Sequence, residues 1–142
     1  MRKNKTVLSQ RQLFRVIDAN YNRAKEGLRV CEDICRFVLD DKALTAGFKK
    51  VRHALVGAIA VFGLKEIVSA RDILKDVGKK TVDEESKRFS VEDLLYSNSQ
   101  RVKESLRVLE EFAKLVNIKA AERLKRLRYT LYDLEKETFK RL

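Results

Sequence analysis

The chain has 142 residues, the length of one domain, and its 44% hydrophobic and 37% charged side chains exclude a disordered polymer. It has no proline and only five glycines, which favours long helices, and a formal net charge of +11, which favours phosphates, acidic metabolites or nucleic acid as partners. The most apolar run, residues 54–64, is too short to span a bilayer, and the opening stretch lacks the apolar core of a secretory signal, so a cytoplasmic protein with no membrane partner is expected.

A first helix is predicted over about residues 9–39. Ile17, Tyr21, Ala24, Leu28, Cys31, Cys35 and Val38 recur three and four apart there as one apolar seam. Asp40 and Asp41 break the seam and can cap a second helix over about 42–62, with Leu44, Phe48, Val51, Leu55 and Phe62 on one face and Gly63 as its stop. Residues 64–90 lose the pattern and read as a long charged crossover. It holds Arg71 and Asp72, the run from Asp76 to Thr81, the acids Asp83, Glu84 and Glu85, and Lys87 with Arg88. Ser90 and Asp93 form a capping box in its acidic form and open a third helix, with Leu95, Val102, Leu106, Leu109, Ala113 and Val116 as its seam. A last helix runs from about Lys119 to the end, striped by Leu124, Leu127, Leu131 and Leu134.

The two halves are copies. Residues 20–33 align without a gap on residues 98–111, with eight of fourteen positions identical, and residues 48–55 match 124–131 more weakly. The expected fold is therefore all-α: a four-helix bundle of two duplicated hairpins with pseudo-two-fold symmetry. It forms one domain over 1–142, with hairpin one at about 9–63, the crossover at about 64–90 and hairpin two at about 91–142.

On a helical wheel Asn20 and Arg23 fall inside the apolar sector of the first helix, and Asn98 and Arg101 repeat them in the second copy. A guanidinium placed there is costly unless paired, and Glu26 and Glu104 lie three residues on. Two readings stay open. The motif lines a pocket in which the arginines hold phosphate, or it forms internal ion pairs that fix helix register. Arg29, Glu32 and Asp33, with Arg107, Glu110 and Glu111, fall outside the sector. They form intrahelical salt bridges, or Asp33, Glu110 and Glu111 supply oxygen ligands to Mg²⁺. Gly78, Lys79 and Lys80 lack the spacing of a P-loop but can cover an anion. Cys31 and Cys35 stand at i and i+4, with β-carbons about 5–6 Å apart where a disulfide needs roughly 3.8 Å, so they read as core residues. His53 stands alone and reads as structural.

The string from Ile17 to Phe37 resembles the opening signature of a small bacterial family, the hydroxymethylpyrimidine-phosphate kinases of thiamine synthesis. Members occur alone or fused ahead of thiamine-phosphate synthase. Further blocks follow in the family's order: Arg71 with Asp72, Asp76 to Gly78, Arg88, Asn98 to Glu111, Lys114, and Arg128 with Tyr129. The likeness covers about residues 14–134 and departs where Lys79 and Lys80 separate Gly78 from Thr81. It implies a stand-alone kinase that uses ATP and Mg²⁺ to convert the pyrimidine phosphate to its diphosphate, functionally linked to thiamine-phosphate synthase.

Wheel placement and the family match together put Asn20, Arg23, Asn98 and Arg101 at the centre of one anion pocket as the catalytic set, with Glu26 and Glu104 orienting the arginines. Arg71, Asp76, Gly78 and Arg88 are expected to close over the substrate from the crossover. A homodimer is a further expectation. The rival readings are a non-catalytic phosphate- or nucleic-acid-binding helical module, and a partner subunit of thiamine-phosphate synthase. Acids interleaved with the bases on the exposed faces argue against nucleic acid.

Overall fold

The first helix starts where the sequence supplies both halves of a capping box. Ser9 Oγ accepts from the Gln12 amide at 3.1 Å, and Gln12 Oε1 accepts from the Ser9 amide at 2.9 Å. Helix α1 then runs over Gln10–Asp33 in the computed structural model, which describes residues 5–80 and 87–142. It widens into a π-helical turn over Ile34–Val38, and Asp40, at a φ of 49°, reverses the chain. Asp41 Oδ1 accepts from the Leu44 amide at 2.9 Å and caps α2, Lys42–Ala60. Gly63 has a φ of 81°, in the left-handed region where a side chain would be strained, and it ends the first hairpin.

The crossover then departs from its expected irregularity. A short helix, α3, spans Leu64–Ser69 and anchors itself by burying Ile67. Its six residues are too few for periodicity to register in the sequence. The two long helices of the second hairpin are α4, Val91–Ala113, and α5, Ile118–Phe139. Ser90 Oγ accepts from the Asp93 amide at 3.1 Å, while Asp93 Oδ2 reaches one residue beyond the cap and accepts from the Phe89 amide at 3.1 Å. Asn117 Oδ1 caps α5 by accepting from the Ala120 amide at 3.0 Å. Thr81 and the acids Asp83, Glu84 and Glu85 lie outside the described residues.

The four long helices form a ring in which α1 packs on α2 and α4, and α5 packs on α4 and α2. Helices α1 and α4 run antiparallel, since Glu26 meets Arg101 while Cys31 meets Ser99. Their close approach depends on Gly27. A β-carbon there would stand 2.6 Å from Val102 Cγ2 and 3.0 Å from the Asn98 carbonyl oxygen. Ile17, Leu28, Phe48, Leu55, Leu106 and Leu124 fill the space inside the ring and are fully buried. Among the described residues there is no strand, and no helix is long and apolar enough to cross a membrane.

The duplication extends to buried charge. Glu32 accepts from Arg29 at 3.4 Å and from Arg52 of the neighbouring helix at 2.9 Å. Glu110, its counterpart, accepts from Arg107 at 3.2 Å and from Arg128 at 3.1 Å. Each acid is thus held between its own helix and the second helix of its hairpin. Both cysteines are free thiols in the core: Cys31 Sγ lies 3.6 Å from Ser99 Oγ, and Cys35 Sγ 3.7 Å from Thr138 Oγ1. Burial pushes the Cys31 thiol up to about 12.

Candidate anion-binding groove

Helices α1 and α4 turn one face to α2 and α5 and leave another uncovered. That second face and the crossover enclose an open groove of about 1110 Å³. Polar residues recurring four apart on α1 (Asp18, Asn22 and Glu26) floor one side of it. The lining repeats across the pseudo-two-fold axis: Ala19 with Ser97, Asn22 with Gln100, Arg23 with Arg101, and Glu26 with Glu104. The crossover adds Arg71, Asp76, Gly78, Lys79, Lys80 and Arg88. Seven Arg or Lys side chains and five Asp or Glu side chains line the groove in all, an excess of positive charge.

The structure brings nine of the ten expected pocket residues to this one groove: Asn20, Arg23, Glu26, Arg71, Asp76, Gly78, Arg88, Arg101 and Glu104. Asn98 is the exception. Its amide donates to the Leu94 carbonyl at 2.9 Å, and it does not line the groove. Asn20 is buried and likewise donates to its own helix, at the Val16 carbonyl, 2.9 Å away.

Two details of the expected geometry are corrected. Arg23 and Arg101 do not lie in the core; both are exposed, because their Cα positions sit at the edge of the apolar sector and the long stems carry the guanidinium groups out to the groove rim. Nor does Glu26 orient Arg23. It reaches across the helix pair to Arg101 at 3.9 Å, a loose contact between two largely exposed groups, while Arg23 Nη1 lies 3.5 Å from Asn20 Oδ1. Most donors of both guanidinium groups make no hydrogen bond to another described residue.

The acids expected to hold a metal are also placed differently. Glu110 is buried between Arg107 and Arg128, and Glu111 pairs with Arg107 at 2.9 Å and Lys114 at 2.7 Å. Asp33 stands 3.9 Å from Arg29. Arginine or lysine takes one oxygen of each of these carboxylates, none of the three lines the groove, and no group of three or more metal-ligating side chains forms among the described residues.

One bidentate contact of the groove is not announced by the sequence. Asp18 is buried and accepts two hydrogen bonds from Arg71, at 2.7 Å from Nε and 2.8 Å from Nη2. This bond holds the Arg71 guanidinium above its already high ordinary value. The polar stripe four apart along α1 was the signal available for Asp18; nothing in the sequence joined it to Arg71, 53 residues away across the crossover. Two side-chain turns shape the crossover next to it, with Asp72 Oδ1 accepting from the Lys75 amide at 3.2 Å and Asp76 Oδ1 from the Gly78 amide at 2.9 Å. Guanidinium and ammonium groups around a groove of this size suit the oxygens of a phosphate-bearing small molecule.

The chain is similar to curated proteins named thiamine-phosphate synthase. It is 40% identical to that of Nostoc sp. over 127 residues, covering 89% of this chain and 35% of the relative. It is 43% identical to that of Synechocystis sp. over 124 residues, covering 87% and 35%, and 34% identical to that of Rhodopirellula baltica over 134 residues, covering 93% and 36%. The chain thus spans about a third of the length of these relatives. No solved structure matches it. These names correct the expected activity: the relatives are synthases, a different type of transferase, and the assignment as a pyrimidine-phosphate kinase does not stand. The ThiD2 family matches residues 15–137, nearly the whole bundle, and the chain belongs to that family.

Proposed function

We propose that the chain is a helical phosphate-binding module that works with a thiamine-phosphate synthase and holds a small phosphate ester in the α1–α4 groove. One observation carries this reading: Arg23 and Arg101, equivalent residues of the two repeats, line the same groove, and most of their donors make no hydrogen bond to another described residue. Guanidinium groups from two helices can bind phosphate oxygens from opposite sides, and the crossover lysines Lys79 and Lys80 add charge. The relatives support the link to thiamine phosphate, since this chain corresponds to a part of proteins that carry the synthase name.

Calorimetric titration with inorganic phosphate and pyrophosphate tests the binding. Arg23→Ala and Arg101→Ala should each weaken it roughly tenfold, the size of one lost charged hydrogen bond, and the double variant should not bind measurably. Equal affinity in the wild type and the double variant would refute the site. An added thiamine-phosphate synthase should co-elute with the chain in gel filtration; separate elution at micromolar concentration would refute the partnership.

A further inference from the structure

We propose that Asp18 is a positioning residue of the groove: it grips one edge of Arg71 with both carboxylate oxygens and thereby aims the remaining guanidinium nitrogen at the bound anion. The proposal rests on the phosphate-binding reading above. It begins from burial. The Asp18 side chain is only 5% exposed, and a carboxylate so placed requires partners. It has them on both oxygens. Oδ2 accepts from Arg71 Nε, and Oδ1 accepts from Arg71 Nη2 and from Asn22 Nδ2 at 3.1 Å. Asn22 is itself fixed by donating to the Asp18 carbonyl at 2.8 Å, so the acceptor is rigid.

The donor is fixed at its other end too. Arg71 follows α3 directly, its amide donates to the Val68 carbonyl at 3.0 Å, and α3 is pinned to the bundle by buried Ile67. With Nε and Nη2 engaged, Nη1 makes no hydrogen bond to another described residue, and Arg71 lines the groove. The guanidinium is planar, so fixing one edge fixes the direction of the other.

Symmetry separates this pair from the structural ion pairs. The buried acids Glu32 and Glu110 are copies of one another and serve both hairpins alike. Asp18 has no such copy, because the matching position of the second repeat is Tyr96, which is exposed. The pair therefore exists only where the crossover meets the groove.

Two variants test it, with inorganic phosphate as the probe. Asp18→Asn keeps the shape and removes the charge; Arg71→Lys keeps the charge and removes the fork. Each should weaken phosphate binding roughly tenfold, and the Asp18→Asn, Arg71→Lys double variant should be no weaker than either single one, because both break the same unit. Additive losses would overturn the proposal, and so would an Arg71→Lys protein that binds as the wild type does. Phosphate binding by the wild type that Asp18→Asn leaves intact would overturn the positioning role alone. Failure of the wild type to bind phosphate would overturn the groove reading and the proposal together.

Discussion

Glu32 shows how a single side chain ties this fold to pH. Burial alone would raise its carboxyl, but Arg52 and Arg29 outweigh that effect and hold it below the ordinary value of 4.5. The folded protein then binds this proton less readily than the unfolded chain. Glu32 stabilises the fold fully above its ordinary value, and that contribution is lost as pH falls through the lowered one. Glu32→Gln should flatten the acid side of the stability profile in urea titrations as pH falls below the ordinary value of 4.5. Arg52→Ala is expected to destabilise by about 2–3 kcal/mol in the same assay, since it leaves a buried carboxylate with Arg29 alone. The thiols give a simpler check. With Cys31 pushed up to about 12 and both sulfurs buried, neither should react with a thiol reagent at neutral pH until the protein unfolds. Rapid labelling of the native protein would contradict the packing.

At the scale of elements, the helices were legible because their signals are local. Asp41 and Ser90 read as caps in the sequence and are caps in the structure, and the predicted first seam emerges as core from Ile17 to Cys35. Helix α3 was not legible, because one and a half turns carry no period, and the path of the crossover depends on contacts far away in sequence, above all Arg71 on Asp18. The wheel located Arg23 and Arg101 on the right helices but could not show which way a long side chain leaves the edge of an apolar sector. Two substitutions test the elements directly. Ser90→Ala should lower stability by about 1 kcal/mol through loss of the α4 cap. Gly27→Ala should lower it by about 1–2 kcal/mol, because crowding against Val102 and the Asn98 backbone outweighs the better helix propensity of alanine. A more stable Gly27→Ala protein in urea unfolding would mean that α1 and α4 pack less closely than described.

At the scale of the molecule, duplication explains both the bundle and the groove. An antiparallel pair of equivalent helices must carry the same residues on either side of its axis, so a motif useful once appears twice and converges at the centre. The core face of the pair is closed by α2 and α5, and the outer face, with Arg23, Arg101, Glu26 and Glu104, is left to the groove and the crossover. The net charge of +11 attracts anions everywhere on the surface, so affinity alone does not identify a site. Location does. Titrating inorganic phosphate into isotope-labelled protein while following the arginine side-chain Nε–H resonances tests the central claim most directly. The account predicts that Arg23, Arg71 and Arg101 shift together along one saturating curve while exposed Arg36, which does not line the groove, stays still. Shifts spread over all exposed arginines, rising linearly without saturation, would contradict it.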